Sequence, residues 1–192
     1  MKQGGKLAGG NPARGRVEND FYATHPDSVN AIIKTGEIIY PFLEPACGEG
    51  HISKLLLEHN DDFRNFSSDL IARGYGNTNI DFLAYNFTPQ RYETVITNPP
   101  FNLFTEFVEK ALKVTNKKVI MFGKLQALEG QKRATFLQTT PLKTVYVFKK
   151  RQQPMRDGKV NDENGKKLSS TMAFAWFVWE KGYVGEPIIK WL

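Results

Sequence analysis

Residues 38–59 read IIYPFLEPACGEGHISKLLLEH, and this stretch decides the fold. The apolar run 38–43 is fit for a buried strand, although Pro41 interrupts it because proline brings no backbone donor to a sheet. EPACGEG, residues 44–50, follows. Its glycines let a backbone turn sharply and approach a ligand closely. ISKLLLEH then reads as a helix. Strand, glycine-rich turn and helix make the opening unit of an open α/β sheet, whose ligands sit at the carboxyl ends of the strands.

The pattern repeats on both sides of this unit. Upstream, Val29, Ile32 and Ile33 fall at helical spacing over 27–36, and Gly36 is a natural stop. Downstream, DFRNFSSDL holds a short strand ending near Asp69, and NIDFL follows the turn-rich YGNTN as a third strand. TVITNPPF is a β-branched strand that ends in a rigid Pro-Pro loop. FTEFVEKALKV places Phe104, Phe107, Val108, Ala111 and Leu112 on one helical face. KKVIMFG is the next strand and KRATFLQTT the next helix, and KTVYVFKK and TMAFAWFVWEKG are the last two strands. Such alternation predicts an α/β fold, a mostly parallel sheet with helices on both faces, and the last strand pair implies one antiparallel member at the sheet edge. Residues 1–18 read as a basic tail that is disordered in the free protein, and 19–192 as a single domain. The polar segment at about 151–170 is an insertion in the last hairpin.

The chain has 192 residues, 41% hydrophobic and 24% charged, ordinary for one globular domain. No run approaches the ~18 apolar residues of a membrane span. The opening residues have no apolar core of a secretory signal, so the expected location is the cytoplasm. A single cysteine, Cys47, forbids an internal disulfide and a cysteine zinc cluster. The net charge is +6. Much of it lies in two polar stretches: Lys2, Lys6, Arg14 and Arg16 in the tail, and Lys149, Lys150, Arg151, Arg156, Lys159, Lys166 and Lys167 near the insertion. That placement suits contacts to nucleic-acid phosphates, and any solvated basic loop shares it.

Glu44-Pro45-Ala46-Cys47-Gly48-Glu49-Gly50 is not a dinucleotide fingerprint, because Ser53 stands where the third glycine would be. Glu44 and Glu49 also disfavour a phosphate and tolerate a cation. S-adenosylmethionine has a sulfonium, an ammonium and no phosphate. Asp69, at the second strand end, can accept from two ribose hydroxyls. Asp81 and Phe82, at the expected third strand end, can take an adenine amine and cover the base. The three strand ends together form an adenosine-binding set.

Asn98-Pro99-Pro100-Phe101 is the most specific signal. Two prolines remove two donors and stiffen the loop, so carbonyl oxygens dominate it. The Asn98 side chain and the Pro99 carbonyl can accept both hydrogens of a planar amine and direct its lone pair at a methyl sulfonium. Phe101 can stack on the base.

EPACGEG followed by NPPF resembles the amino-methyltransferase family of Rossmann-like methyltransferases, especially the adenine-N6 DNA methyltransferases. Asp20-Phe21-Tyr22-Ala23-Thr24-His25-Pro26 resembles that family's N-terminal cofactor motif, and the small size with AFAWFVWEKGY resembles its phage and prophage members. The resemblance spans most of residues 20–183. It implies a seven-stranded class I methyltransferase sheet, S-adenosyl-L-methionine as cofactor, no metal, and nucleic acid as substrate, with DNA favoured over RNA. By the same resemblance, Glu44, Ala46, Gly48 and Gly50 surround the methionine part of the cofactor, with Tyr22 and Thr24 beside it. Asp69 takes the ribose, Asp81 and Phe82 the adenine, and Asn98, Pro99, Pro100 and Phe101 form the catalytic tetrapeptide, with Asn98 also counted among the cofactor-binding residues. The chain departs from sequence-specific members in lacking room for a recognition region beyond the insertion.

Other readings stay open. NPPF also occurs in RNA methyltransferases acting on adenine N6 or guanine N2, and in protein glutamine methyltransferases, where a Tyr is usual after the prolines. A catalytically silent nucleic-acid-binding relative would not need an intact NPPF. Cys47 reads as a small turn residue rather than a nucleophile. His25 could line the cofactor mouth, whereas His51 and His59 read as surface or packing residues. Trp176 and Trp179 read as core, and Glu129, Gly130 and Arg133 as a loop flanking the substrate pocket.

Overall fold

The computed structural model describes residues 22–152, 155–156 and 172–192, the middle pair through its backbone. The tail 1–18, the motif residues Asp20 and Phe21, and most of the 151–170 insertion lie outside the described residues.

Four α-helices, two short 3-10 helices (Phe101–Leu103 and Leu125–Leu128) and nine strands are formed among the described residues. In chain order the strands and α-helices are β1 (Tyr22–Ala23), α1 (Pro26–Ile33), β2 (Phe42–Glu44), α2 (Ser53–His59), β3 (Phe66–Ser67) and β4 (Tyr92–Thr97). Then come α3 (Phe104–Val114), β5 (Thr115–Lys124), α4 (Gln131–Gln138), β6 (Leu142–Val147), β7 (Met155–Arg156), β8 (Phe174–Glu180) and β9 (Ile188–Trp191). Seven strands form one sheet in the order β3-β2-β4-β5-β8-β6-β9. The pairs β2–β3, β2–β4, β4–β5 and β6–β9 are parallel, and β8 runs antiparallel to both its neighbours. β1 and β7 make a separate two-stranded antiparallel pair.

Alternation along the strands sorts side chains to two faces. Val95, Val119, Met121, Val145, Phe177 and Trp179 pack with Phe104, Phe107, Val108 and Ala111 of α3 and Leu137 of α4. Phe42, Ile96, Ile120, Phe122, Tyr146 and Trp176 pack with Val29 and Ile32 of α1 and Leu56 of α2 on the other face. Both faces of the central strands are therefore apolar, as a sheet between two helical layers requires. Trp176 and Trp179 are fully buried on opposite faces, and the Trp176 indole N–H donates to the Ser28 carbonyl of α1 at 2.8 Å.

Three local expectations are corrected. NIDFL forms no strand: after Gly74 and Gly76 the chain makes only an isolated bridge, Ser68 to Asn77, and Asp81 starts a turn closed by Leu83 N–H on its own carboxylate at 2.9 Å. The 38–43 run yields a strand only from Phe42, because Pro41 has no N–H to donate. The antiparallel strand β8 lies inside the sheet, and the edge is taken by β9, a strand beyond the expected last one. No helix among the described residues is long and apolar enough to cross a membrane.

Candidate active site

Because β2, β3, β4 and β5 are parallel, their carboxyl ends share one edge of the sheet. A cavity of about 390 Å³ opens there, within the ~300–1,000 Å³ typical of small-molecule sites. Its wall takes residues from the ends of β1, β2 and β4, from the segment after β3, and from the start of α3.

The β2 turn supplies Glu44, Ala46 and Cys47. Glu44 is 1% exposed and accepts from both the N–H and the hydroxyl of Ser53. Burial pushes its carboxyl up to about 8, against the two Ser53 hydrogen bonds that favour the ionised form. Gly48 and Gly50 do not line the cavity and instead shape the turn. Gly50 has φ +82°, and a Cβ there would meet the Tyr75 ring at 2.6 Å. Cys47 is a buried thiol pushed up to about 12 by burial and by Glu44 and Asp69, the opposite of an activated nucleophile.

Asp69 follows β3 and is clamped at both oxygens. Gly48 N–H donates to Oδ2 at 2.8 Å and Ile71 N–H to Oδ1 at 2.8 Å. Each oxygen keeps lone-pair capacity for a further donor. Asp81 and Phe82 also reach the wall, although no strand carries them. Phe82 is held there by Phe107 and Phe87, with ring centroids 5.0 and 5.6 Å away.

After β4, Asn98 and Pro100 line the cavity, whereas Pro99 is buried behind them. Asn98 Nδ2 donates to the Tyr22 carbonyl at 2.7 Å and to Thr24 Oγ1 at 3.0 Å. Both amide hydrogens are thereby used, so Oδ1 is the group left to act, and it can only accept. Phe101 is 7% exposed and is not part of the wall. Its ring lies against Tyr22 and Phe174, each 5.8 Å away, with the Lys124 ammonium 4.7 Å over its centroid.

Tyr22 and Thr24 line the cavity as expected. His25 does not; it caps α1, accepting from the Asp27 N–H at 3.2 Å. His51 does line it, contrary to the surface or packing reading, and burial lowers its pKa. Its placement after Gly50, at the entry to α2, was the available signal. Arg73, Asn102 and Leu103 also line the wall and were not anticipated. Among the described residues no group of three or more His, Cys, Asp or Glu could hold a metal ion.

The mostly parallel seven-stranded sheet with helices on both faces is shared with solved structures. This is the Rossmann-like class I methyltransferase fold. A class I S-adenosylmethionine-dependent methyltransferase of Listeria monocytogenes superposes with TM-score 0.63 at 13% identity, over 94% of this chain and 68% of that one. The methyltransferase subunit of a type I restriction-modification system from Streptococcus thermophilus gives 0.61 at 12%, over 89% of this chain. The chain spans 47% of that subunit's length. Magnesium protoporphyrin IX methyltransferase of Synechocystis, with S-adenosylmethionine bound, gives 0.53 at 10%, over 82% and 80% of the two chains. By sequence the chain matches no family model and no curated protein. In the class I methyltransferase fold the cavity lies at the usual ligand edge of the sheet.

Proposed function

We propose that this chain is an S-adenosylmethionine-dependent methyltransferase that acts on the N6 amine of adenine in DNA. The observation that carries the reading is the fixed orientation of Asn98, whose nitrogen is tied to Tyr22 and Thr24 so that Oδ1 is left as a pure acceptor beside the cavity. A planar amine offers two hydrogens: Oδ1 accepts one, and in this reading the backbone carbonyl of Pro99, a residue buried behind the wall, accepts the other. Accepting both hydrogens leaves the nitrogen lone pair directed away from the loop.

The cavity fits the cofactor. Asp69 retains acceptor capacity for ribose hydroxyls, Asp81 for an amine, and Glu44 is a buried carboxyl that a neighbouring cation would ionise. When bound, S-adenosylmethionine supplies an electrophilic methyl group. The chain's own residues then contribute orientation and acceptor bonds that strengthen as the amine becomes cationic. Phe101, closed off by Lys124 and Phe174, backs the Tyr22 ring, and Tyr22 lines the cavity on the Asn98 side.

A nucleic-acid substrate is favoured by the placement of basic residues. β6 runs parallel to β5, so exposed Lys149, Lys150 and Arg151 leave the sheet at the cavity edge, and β8 enters from that same edge after Met172 and Ala173. Residues 149–151 and 172–173 thus lie at the cavity edge of the sheet, where phosphate contacts give affinity without reading sequence. Incubation with methyl-labelled cofactor and plasmid DNA, cellular RNA or a glutamine-containing polypeptide tests the reading. Label in DNA that falls steeply with added salt is expected. Label in RNA or polypeptide alone would overturn the choice of substrate.

A further inference from the structure

We infer that Thr24 is a positioning residue for Asn98: its hydroxyl, with the Tyr22 carbonyl, fixes the plane of the Asn98 amide and so the direction of Oδ1. This rests on the proposed role of Asn98 as the amine acceptor. Thr24 lines the cavity, so by place alone it would be a wall residue that touches cofactor. The hydrogen bonds assign it something else.

Asn98 Nδ2 has two hydrogens and two acceptors, the Tyr22 carbonyl at 2.7 Å and Thr24 Oγ1 at 3.0 Å. The two do different work. A carbonyl cannot donate, so it decides which end of the amide faces β1, and the oxygen must point the other way. One bond, however, fixes only one point. The terminal torsion of an asparagine is soft, and with a single anchor the amide plane can swing about that bond. A second bond from the same nitrogen fixes the plane.

Thr24 is itself held firmly. It is 2% exposed and follows directly on β1, whose residues pair with β7, Tyr22 opposite Arg156 and Ala23 opposite Met155. Pro26 opens α1 two residues later, and α1 is pinned to β8 by the Trp176 to Ser28 bond. The acceptor presented to Asn98 is therefore built on two packed elements, the arrangement that precise placement of a reacting group requires.

Thr24→Val keeps the shape and removes the acceptor, and Thr24→Ser restores it. Three readouts separate placement from contact with cofactor. In single-turnover methylation of DNA at saturating cofactor, Thr24→Val should be roughly tenfold slower, the loss of one hydrogen bond expressed in the barrier, and Thr24→Ser should recover most of the rate. The dissociation constant for S-adenosylmethionine by calorimetry should stay within about twofold, on the order of 0.4 kcal/mol. The Asn98 side-chain NH₂ pair, observed by ¹⁵N NMR, should exchange slowly with solvent in the wild type and in Thr24→Ser, and faster in Thr24→Val. A Thr24→Val protein whose cofactor affinity falls tenfold while its rate and its Asn98 exchange are unchanged would overturn the inference. A wild-type protein that methylates no DNA would instead overturn the functional reading, and the NMR comparison would still decide the role of Thr24.

Discussion

The Gly48 N–H donates to Asp69 Oδ2 at 2.8 Å, tying the turn after β2 to the segment after β3. One carboxylate therefore both shapes the cavity and faces it. Asp69→Ala should weaken binding of S-adenosylmethionine by about 10- to 100-fold, since hydrogen bonds to charged groups are worth about 1.5–3 kcal/mol. Calorimetry checks this, and affinity equal to wild type would remove Asp69 from the site.

Glu44 should make stability depend on pH. Its folded value of about 8 stands above the ordinary 4.5, chiefly through burial, so the folded state prefers the protonated acid. The contribution is fully present below pH 4.5 and is lost as pH rises to about 8. Glu44→Gln should melt at the same temperature as wild type at pH 4.5 and above it at pH 8, by on the order of a few kcal/mol of stability at most. Saturating S-adenosylmethionine should shrink the wild-type deficit at pH 8, because a cation beside the carboxylate favours its ionised form. Parallel melting curves for the two proteins across this range would show that Glu44 titrates elsewhere.

Gly76 has φ +67°, and an added Cβ would lie 2.8 Å from Cys47 Sγ and 2.9 Å from the Ser67 carbonyl oxygen. A backbone atom on β3 and a buried thiol leave little room to yield. Gly76→Ala should cost more than about 1 kcal/mol in urea unfolding, through both the left-handed backbone and the overlap. Gly74→Ala, also at positive φ but with nothing within 4 Å, should cost less. Equal costs would mean that overlap is not the cause.

Cys47 lies in the cavity wall with its thiol pushed up to about 12. Iodoacetamide at neutral pH should leave it unmodified in the folded protein and alkylate it after denaturation, as intact-mass spectrometry would report. Rapid labelling of the native protein would indicate a thiolate and reopen nucleophilic chemistry.

The sequence carried the sheet and most of the cavity because the decisive signals are local. A six-residue strand ending in four β-branched residues before Asn98, and an apolar face at helical spacing over α3, need no tertiary context to be read. The misplacements have tertiary causes. Asp81 and Phe82 reach the cavity through a turn stabilised by Leu83 N–H and by packing on Phe107, not through a strand. β9 is only four exposed residues, IIKW, recruited to the edge by pairing with β6, and nothing within so short a run announces a partner. The exclusion of Phe101 from the wall depends on Lys124 and Phe174, which lie 23 and 73 positions away in the chain. Which end of the Asn98 amide faces the cavity is likewise invisible until Tyr22 and Thr24 are brought alongside.

The central claim is that Asn98 presents an acceptor to an adenine amine in DNA. Its most direct test is mass spectrometry of nucleosides from plasmid DNA and from RNA, each incubated with deuterated-methyl S-adenosylmethionine and either wild-type protein or Asn98→Ala. The account predicts deuterated N6-methyladenine in DNA treated with wild type, at adenines of varied sequence context. It predicts none above background with Asn98→Ala, whose cofactor affinity should remain close to wild type. Methylated adenine at equal levels with both proteins, or no methylated nucleoside in either polymer with wild type, would contradict it.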